Sequence, residues 1–277
     1  MKDLDIRIDL GEVQTTLLFP LKARARETEK INPIIYDTYA RDIVARIDCD
    51  FSKFEALLAD ENHRLGMVIR AYNFDITILE FLEQNSNAVV MNIGAGLDTT
   101  FQRVDNGELM WFNIELPDVA ALRQRVVPDS ERVITIAKSV FDFTWIEDVS
   151  PYIKDRPLMF MAAGTLFYFT ESEVETIFRK LAHSYPSAHI VFDSVPWFTK
   201  WAQNWGVKKG KTSSFSLWKW HLKRASRLRK WVSTIKVIEE YPIFAKVEFR
   251  NDWDKKLVRG MRVTNLLRLY NMAHVKL

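Results

Sequence analysis

Two spacings of apolar side chains divide the chain. Up to about Asn85 the apolar positions recur three and four residues apart, which predicts helices over 37–47, 51–58 and 62–82. On the longest of these, Val68, Ala71, Tyr72, Ile76, Leu79 and Leu82 share one face. From Ser86 onward short apolar runs bounded by turn residues take over. The runs 88–93, 109–114, 132–137, 158–163, 188–192, 235–238 and 272–275 read as strands. Between them 117–127, opened by Pro117, and 171–184 read as helices, the second with a capping box from Thr170 and Glu173. Strands alternating with helices predict an α/β fold, a parallel sheet covered on both faces. In such a sheet a ligand binds at the carboxyl ends of the strands, where the strand order reverses.

Composition narrows the class. With 277 residues, 48% hydrophobic and 27% charged, the chain can bury a large core and is neither disordered nor collagenous. The longest apolar run, 158–169, is shorter than the roughly 18 residues of a membrane helix and suits a buried strand. No membrane span is expected. The first ten residues alternate charged and apolar side chains, unlike a secretory signal, so the reading is a cytoplasmic protein. A single cysteine, Cys49, excludes an internal disulfide and any multi-cysteine metal site, and no metal is expected. The aromatic fraction of 13% exceeds the needs of a minimal core, so some aromatics should line a pocket or an interface.

Charge is unevenly placed. Lys208, Lys209, Lys211, Lys219, Lys223, Arg224, Arg227, Arg229 and Lys230 fall between Gly206 and Trp231 with no acidic residue, so this segment carries +9 and the remainder, 3 − 9, carries −6. Such a segment faces an anion or forms a solvated helix face. A nucleic-acid or membrane-surface role would use the same basic and aromatic residues, and both are disfavoured because the rest of the chain is acidic. The oligomeric state is not legible.

The stretch with most chemical content runs from Ala88 to Thr100. An apolar strand enters Gly94-Ala95-Gly96, where missing side chains let a ligand approach the backbone. About twenty residues on, the next strand ends at Glu115, whose carboxylate can accept both hydroxyls of a ribose. This spacing favours a nucleoside ligand over a plain tight turn. The dinucleotide fingerprint asks for a third glycine where Thr99 stands, to pack a helix against a pyrophosphate. S-adenosylmethionine has no phosphate and needs only the first turn, so the missing glycine favours a methyl donor over NAD.

Four motifs follow in order. Gly94-Ala95-Gly96-Leu97-Asp98-Thr99-Thr100, Trp111-Phe112-Asn113-Ile114-Glu115-Leu116-Pro117, Ser139-Val140-Phe141-Asp142-Phe143-Thr144-Trp145 and Ala163-Gly164-Thr165-Leu166-Phe167-Tyr168 resemble those of the leucine carboxyl methyltransferase family. The opening Pro20-Leu21-Lys22-Ala23-Arg24-Ala25-Arg26-Glu27-Thr28 is similar to that of its bacterial branch, the tetracenomycin-type polyketide O-methyltransferases. The resemblance covers Thr16 to about Ser194 and implies a Rossmann-like class I methyltransferase, a seven-stranded mostly parallel sheet, binding S-adenosylmethionine. It implies that Gly94, Ala95 and Gly96 border the methionine part of the cofactor, Glu115 and Leu116 the ribose, and Val140, Phe141 and Asp142 the adenine. Arg24 and Arg70 match basic positions that face the cofactor's carboxylate or the mouth of the site. The chain departs from the family at Ala163, a cofactor-side position where an acid is usual, and at Thr100, where the bacterial branch often has arginine. Two alternatives stand beside this reading: a binding protein built on an impaired methyltransferase, and an NAD-dependent dehydrogenase.

The acceptor is expected to be a small-molecule or peptidyl carboxylate. A phenol or hydroxyl acceptor needs a general base, a carboxylate does not, and no histidine falls in a motif loop. Tyr168 and His221 are the candidates if a base is required. The expected organisation is one domain over 1–277: a helical extension at 1–85, the core at 86–194 and 232–277, and a basic, tryptophan-rich lid at 195–231. In that lid Trp197, Trp201 and Trp205 recur every four residues, and Trp218, Leu222, Ala225, Leu228, Val232 and Ile235 form a second helical stripe. Together they could line an aromatic pocket with a cationic rim.

Overall fold

The structure is a computed structural model that describes residues 6–7, 17–48, 58–209 and 217–277. Among the described residues three helices precede the sheet: α1 (Leu18–Thr28), α2 (Thr38–Arg46) and α3 (Glu61–Gln84). An aspartate starts each of the last two. Asp37 accepts from Ala40 N, and Asp60 from Asn62 N and His63 N. The helix expected over 51–58 lies almost wholly outside the described residues. Ile6–Arg7 pairs in parallel with Ile47–Asp48, a short bridge that the apolar spacing does not predict.

Each of the seven apolar runs is a strand: β1 (Val89–Ile93), β2 (Met110–Glu115), β3 (Val133–Ala137), β4 (Leu158–Ala162), β5 (His189–Ser194), β6 (Lys236–Pro242) and β7 (Asn271–Lys276). They form one sheet in the order β3-β2-β1-β4-β5-β7-β6. Neighbours from β3 to β5 are parallel, and β7 runs antiparallel to β5 and β6. β1 and β4 are buried at every position, as central strands covered on both faces must be. Edge strand β6 continues past the expected end at 238, because a strand with one solvated side tolerates Glu239 and Glu240.

Helices fill the crossovers. α4 (Thr100–Val104) follows β1, α5 (Pro117–Val126) β2, α6 (Trp145–Ile153) β3, α7 (Glu171–Ser184) β4, α8 (Trp197–Lys208) β5 and α9 (Lys255–Leu267) β6. The capping box of Thr170 and Glu173 opens α7 as the sequence predicts. α4, α6 and α9 were not predicted. α4 is too short to show a period, α6 contains Pro151, and α9 buries only Leu257 and Met261. Alternate side chains of the strands feed two cores. Val89, Met91 and Ile93 pack with Trp145, Phe178 and Leu181 on one face. Val90, Trp111 and Met159 pack with Phe74 and Ile78 of α3 on the other.

β1 and β4 are neighbours from which the chain winds outward in opposite directions, so a crevice opens at their carboxyl ends. The N-terminal helices close one side of it. Leu18, Leu21, Ile43 and Val68 share a core with Leu97, just past the glycine turn, and with Leu122 and Val126 of α5.

The basic segment differs from expectation. The first stripe is helical, as α8, but the second is not. Residues 210–216 lie outside the described residues, and between 217 and 235 the helical piece is a 3-10 turn, Ala225–Lys230. Lys219 N and Trp220 N donate to Phe167 O, and Leu222 N to Val195 O, so these amides bond to the body and not to one another. Leu222, Ala225, Leu228 and Ile235 are buried in the main core all the same. The spacing identified the buried residues correctly and their conformation wrongly.

Candidate functional site

Gly94 and Gly96 follow β1 with φ of +66° and +50°. A Cβ on Gly94 would lie 2.5 Å from Thr165 Cγ2, and one on Gly96 2.8 Å from Leu17 Cδ2. The turn thus needs glycine for its backbone and for its neighbours. Arginines hold its carbonyls. Buried Arg123 donates from Nη1 to Gly96 O at 3.0 Å and to Asp98 O at 2.7 Å. Arg24 Nη2 donates to Leu97 O at 3.2 Å. On the amide side, Gly96 N and Leu116 N each donate to Glu115 at 2.8 Å. The acid ending β2 is thereby docked on the turn. Burial raises its carboxyl above the usual range, and the two amides offset this only in part.

A buried ion network supports the loop. Asp37 accepts from Arg24 Nε at 2.9 Å, Arg103 Nη1 at 2.7 Å and Thr99 Oγ1 at 2.6 Å. Arg103 also grips Asp75 with two bonds of 2.7 and 2.8 Å. Burial favours protonation of both acids, but Arg24, Arg103 and Thr99 hold Asp37 below the ordinary carboxylate range. At Asp75 burial outweighs Arg103 and the carboxyl is raised. Arg24, expected to face the cofactor's carboxylate or the mouth, is therefore engaged with Asp37 and the loop, tying α1 to it. Thr100 accepts from Arg103 and donates to Asp98.

Across the crevice, Gly164 follows β4 with φ +70°, and a Cβ there would lie 2.5 Å from Arg70 Nη1. Arg70 Nη1 stands 3.7 Å from Asp193 Oδ2. Asp193, fully buried at the end of β5, accepts from Gly164 N at 2.8 Å and from the Tyr270 hydroxyl. Burial raises the Asp193 carboxyl, with Arg70 pulling the other way. Burial likewise raises the hydroxyls of Tyr168 and Tyr270. Burial would lower the Arg70 pKa, but Tyr270 and Asp193 reverse this and keep the guanidinium charged. Tyr270 also lines an apolar cleft of about 260 Å³ together with Met67, Thr199, Ile243, Phe244 and Met261. Thr165 bridges the two sides, donating to Ile93 O at 3.2 Å beside Gly94.

The structure thus gathers Gly94, Ala95, Gly96, Glu115 and Leu116 on one rim, with Arg70, Ala163 and Tyr168 about the other. Val140 is buried and its carbonyl accepts from Trp145 Nε1 at 3.1 Å, while the Phe141 ring meets Phe169 edge-on. Exposed Asp142 accepts from Thr144 N and Oγ1, which hold its carboxyl below the usual range. His221 lies among Lys200, Glu171 and Arg227, and burial with those cations lowers its pKa. Sequence reasoning missed Asp37, Asp75, Arg103, Arg123, Asp193 and Tyr270. Two of these carried a signal: Asp193 follows the apolar Ile190-Val191-Phe192 at a carboxyl strand end, and Asp75 interrupts an apolar helix face.

The glycine turn has no room for a Cβ, Glu115 presents carboxylate oxygens beside it, and Thr99 is buried where a pyrophosphate site needs glycine. These residues fit a nucleoside without a diphosphate. The strand order, with β7 alone reversed, and the glycine turn after β1 give the class I methyltransferase fold. Residues 18–182 match the leucine carboxyl methyltransferase family, and the chain belongs to it. It is 31% identical over 198 residues, 71% of each chain, to the tetracenomycin polyketide synthesis O-methyltransferase TcmP of Streptomyces glaucescens. Among solved structures, a DUF574 family protein from Streptomyces avermitilis superposes with TM-score 0.56 at 13% identity, covering 92% of this chain and 96% of its own. The plantazolicin methyltransferase BpumL bound to S-adenosylhomocysteine superposes with TM-score 0.50 at 10% identity, covering 96% and 99%. Among the described residues no helix is long and apolar enough to cross a membrane.

Proposed function

We propose that the chain methylates a carboxylate oxygen of a small hydrophobic acid, releasing a methyl ester. The observation that carries this reading is Arg70, a charged guanidinium against the Gly164 backbone and beside Tyr270, which itself lines an apolar cleft. The cleft takes the hydrocarbon part of the acceptor. Arg70 holds one carboxylate oxygen, and the other is left to attack. On the donor side Gly94, Ala95 and Gly96 lie along the methionine part, Glu115 and Leu116 take the ribose, and Val140, Phe141 and Asp142 border the adenine. Ala163 lies at the inner edge of that site, and Arg24 supports it from below.

S-adenosylmethionine supplies an activated sulfonium methyl. The acceptor's lone pair forms the new O–C bond while the C–S bond breaks, and its electrons return to sulfur. A carboxylate with pKa near 4 reacts as the anion with no proton to remove, whereas a phenol near 10 is ionised in about one molecule per thousand at pH 7. The chain's work is alignment and exclusion of water. Tyr168, its pKa raised by burial, makes a poor base, and His221 sits in the basic segment. The lone Cys49 accords with a reducing, cytoplasmic setting.

Label carried from S-[methyl-³H]adenosylmethionine into the product is expected to be released as methanol by mild alkali. Alkali-stable label means an ether or N-methyl product and overturns the carboxylate reading. Separately, Glu115→Ala is expected to weaken S-adenosylhomocysteine binding by about 1.5–3 kcal/mol, the scale of a lost charged hydrogen bond. Titration calorimetry measures this directly, and unchanged affinity would place the ribose elsewhere.

A further inference from the structure

α8 has two unlike sides. Thr199 lines the cleft and Gly206, two turns on, is buried, so both face the body. Trp197, Phe198 and Trp201 lie on the opposite side and are 60, 36 and 61% exposed. The tryptophan stripe therefore turns away from the cleft, and the aromatic acceptor pocket suggested by its spacing does not form there. That leaves a contiguous run of large aromatics facing solvent on one helix, the kind of patch that marks a docking surface.

Its surroundings are cationic. Between Asp193 and Glu239 the chain has eleven lysines and arginines and no acidic residue. Lys208 and Lys209 are exposed at the end of α8, directly after the stripe. The segment that follows is clamped alongside. Asn204 bonds both Trp218 N and Trp218 O at 2.8 Å, and Lys200 Nζ reaches Lys219 O at 3.0 Å. This brings exposed Lys219, Lys223 and Arg227 into the same neighbourhood as Lys200, with Arg224 paired to Glu240 at 3.8 Å and Glu171 beside His221.

We propose that the outer face of α8, with its flanking lysines, docks on the surface of an anionic lipid bilayer. Tryptophan and phenylalanine on one face of a helix, bordered by lysines, is the pattern of a segment lying in the plane of the headgroups. The rings enter the boundary region and the ammonium groups meet lipid phosphates. A single-stranded nucleic acid calls instead for a charged groove with stacking platforms, and here the aromatics stand on a convex helix. The proposal does not depend on the identity of the methyl acceptor.

The test is sedimentation of the full chain with large unilamellar vesicles at physiological salt. Vesicles of phosphatidylcholine with about 30 mol % phosphatidylglycerol are expected to bind it, and phosphatidylcholine alone to bind it far less. Trp197→Ser with Trp201→Ser should weaken binding at least tenfold, and Lys208→Ala with Lys209→Ala about fivefold per lysine removed. Affinity for S-adenosylhomocysteine should stay unchanged in both variants, showing that they fold. The proposal is overturned if anionic vesicles do not bind the chain, or if neither variant changes binding. It is equally overturned if a single-stranded oligonucleotide is retained while vesicles are not, or if the tryptophan variant dissolves a dimer that never bound vesicles.

Discussion

Arg103→Met lowers the free energy of unfolding by about 3–5 kcal/mol, the cost of leaving a buried ion network without one partner. The Arg103 side chain is 7% exposed and bonds Asp37 once and Asp75 twice, so its loss strands two carboxylates at once. The deficit depends on pH. Burial already raises Asp75 above its unfolded value, and removing Arg103 raises it further. A raised carboxyl contributes stability that is fully present below its unfolded pKa and is lost as pH rises through the folded one, so the variant is weakest near neutrality and recovers partly toward pH 5. Asp37 acts in the opposite sense: with Arg24 and Arg103 present its carboxyl is depressed, and the stability this gives is present above its unfolded pKa. Denaturant unfolding of variant and parent at two pH values measures both effects. A deficit under 1 kcal/mol at pH 7 would show that the network contributes little to stability.

Arg70→Met lowers kcat/KM for the acceptor by on the order of a hundredfold while leaving the affinity for S-adenosylhomocysteine within about threefold. The expectation follows from its position. Its guanidinium stands against Gly164 and beside Asp193 and Tyr270, and Tyr270 forms part of the cleft wall. Asp193 keeps its hydrogen bonds from Gly164 N and the Tyr270 hydroxyl when Arg70 is gone, so the fold survives the change. Arg70→Lys keeps the charge but loses the planar fork, and is expected to recover only part of the rate. If calorimetry shows affinity for S-adenosylhomocysteine falling by the same factor as kcat/KM, Arg70 holds the cofactor's carboxylate, and the acceptor is anchored by another group.

The pattern of apolar residues was enough to place all seven strands, the long helix α3, the capped helix α7 and the glycine turn, because each is set by neighbours in the chain. A run buried on both faces has to be apolar throughout, and a turn with positive φ has to contain glycine. The acid at the end of β2 was legible for the same reason: its register is counted along one strand. Tertiary structure decided the rest. Arg24 looks alike whether it faces a ligand or a buried aspartate, and only the packing of α1 against Asp37 and Leu97 turns it inward. The stripe from Trp218 to Ile235 has helical spacing, yet backbone bonds from Lys219, Trp220 and Leu222 to Phe167 and Val195 keep its first part out of a helix, since a segment laid over the loops after β4 and β5 can satisfy its amides there. Arg70, Asp193 and Tyr270 are 123 and 77 positions apart in turn. No local pattern links them, and they meet because β5 ends beside β4 and the chain re-enters β7 antiparallel, bringing Tyr270 to the same end of the sheet.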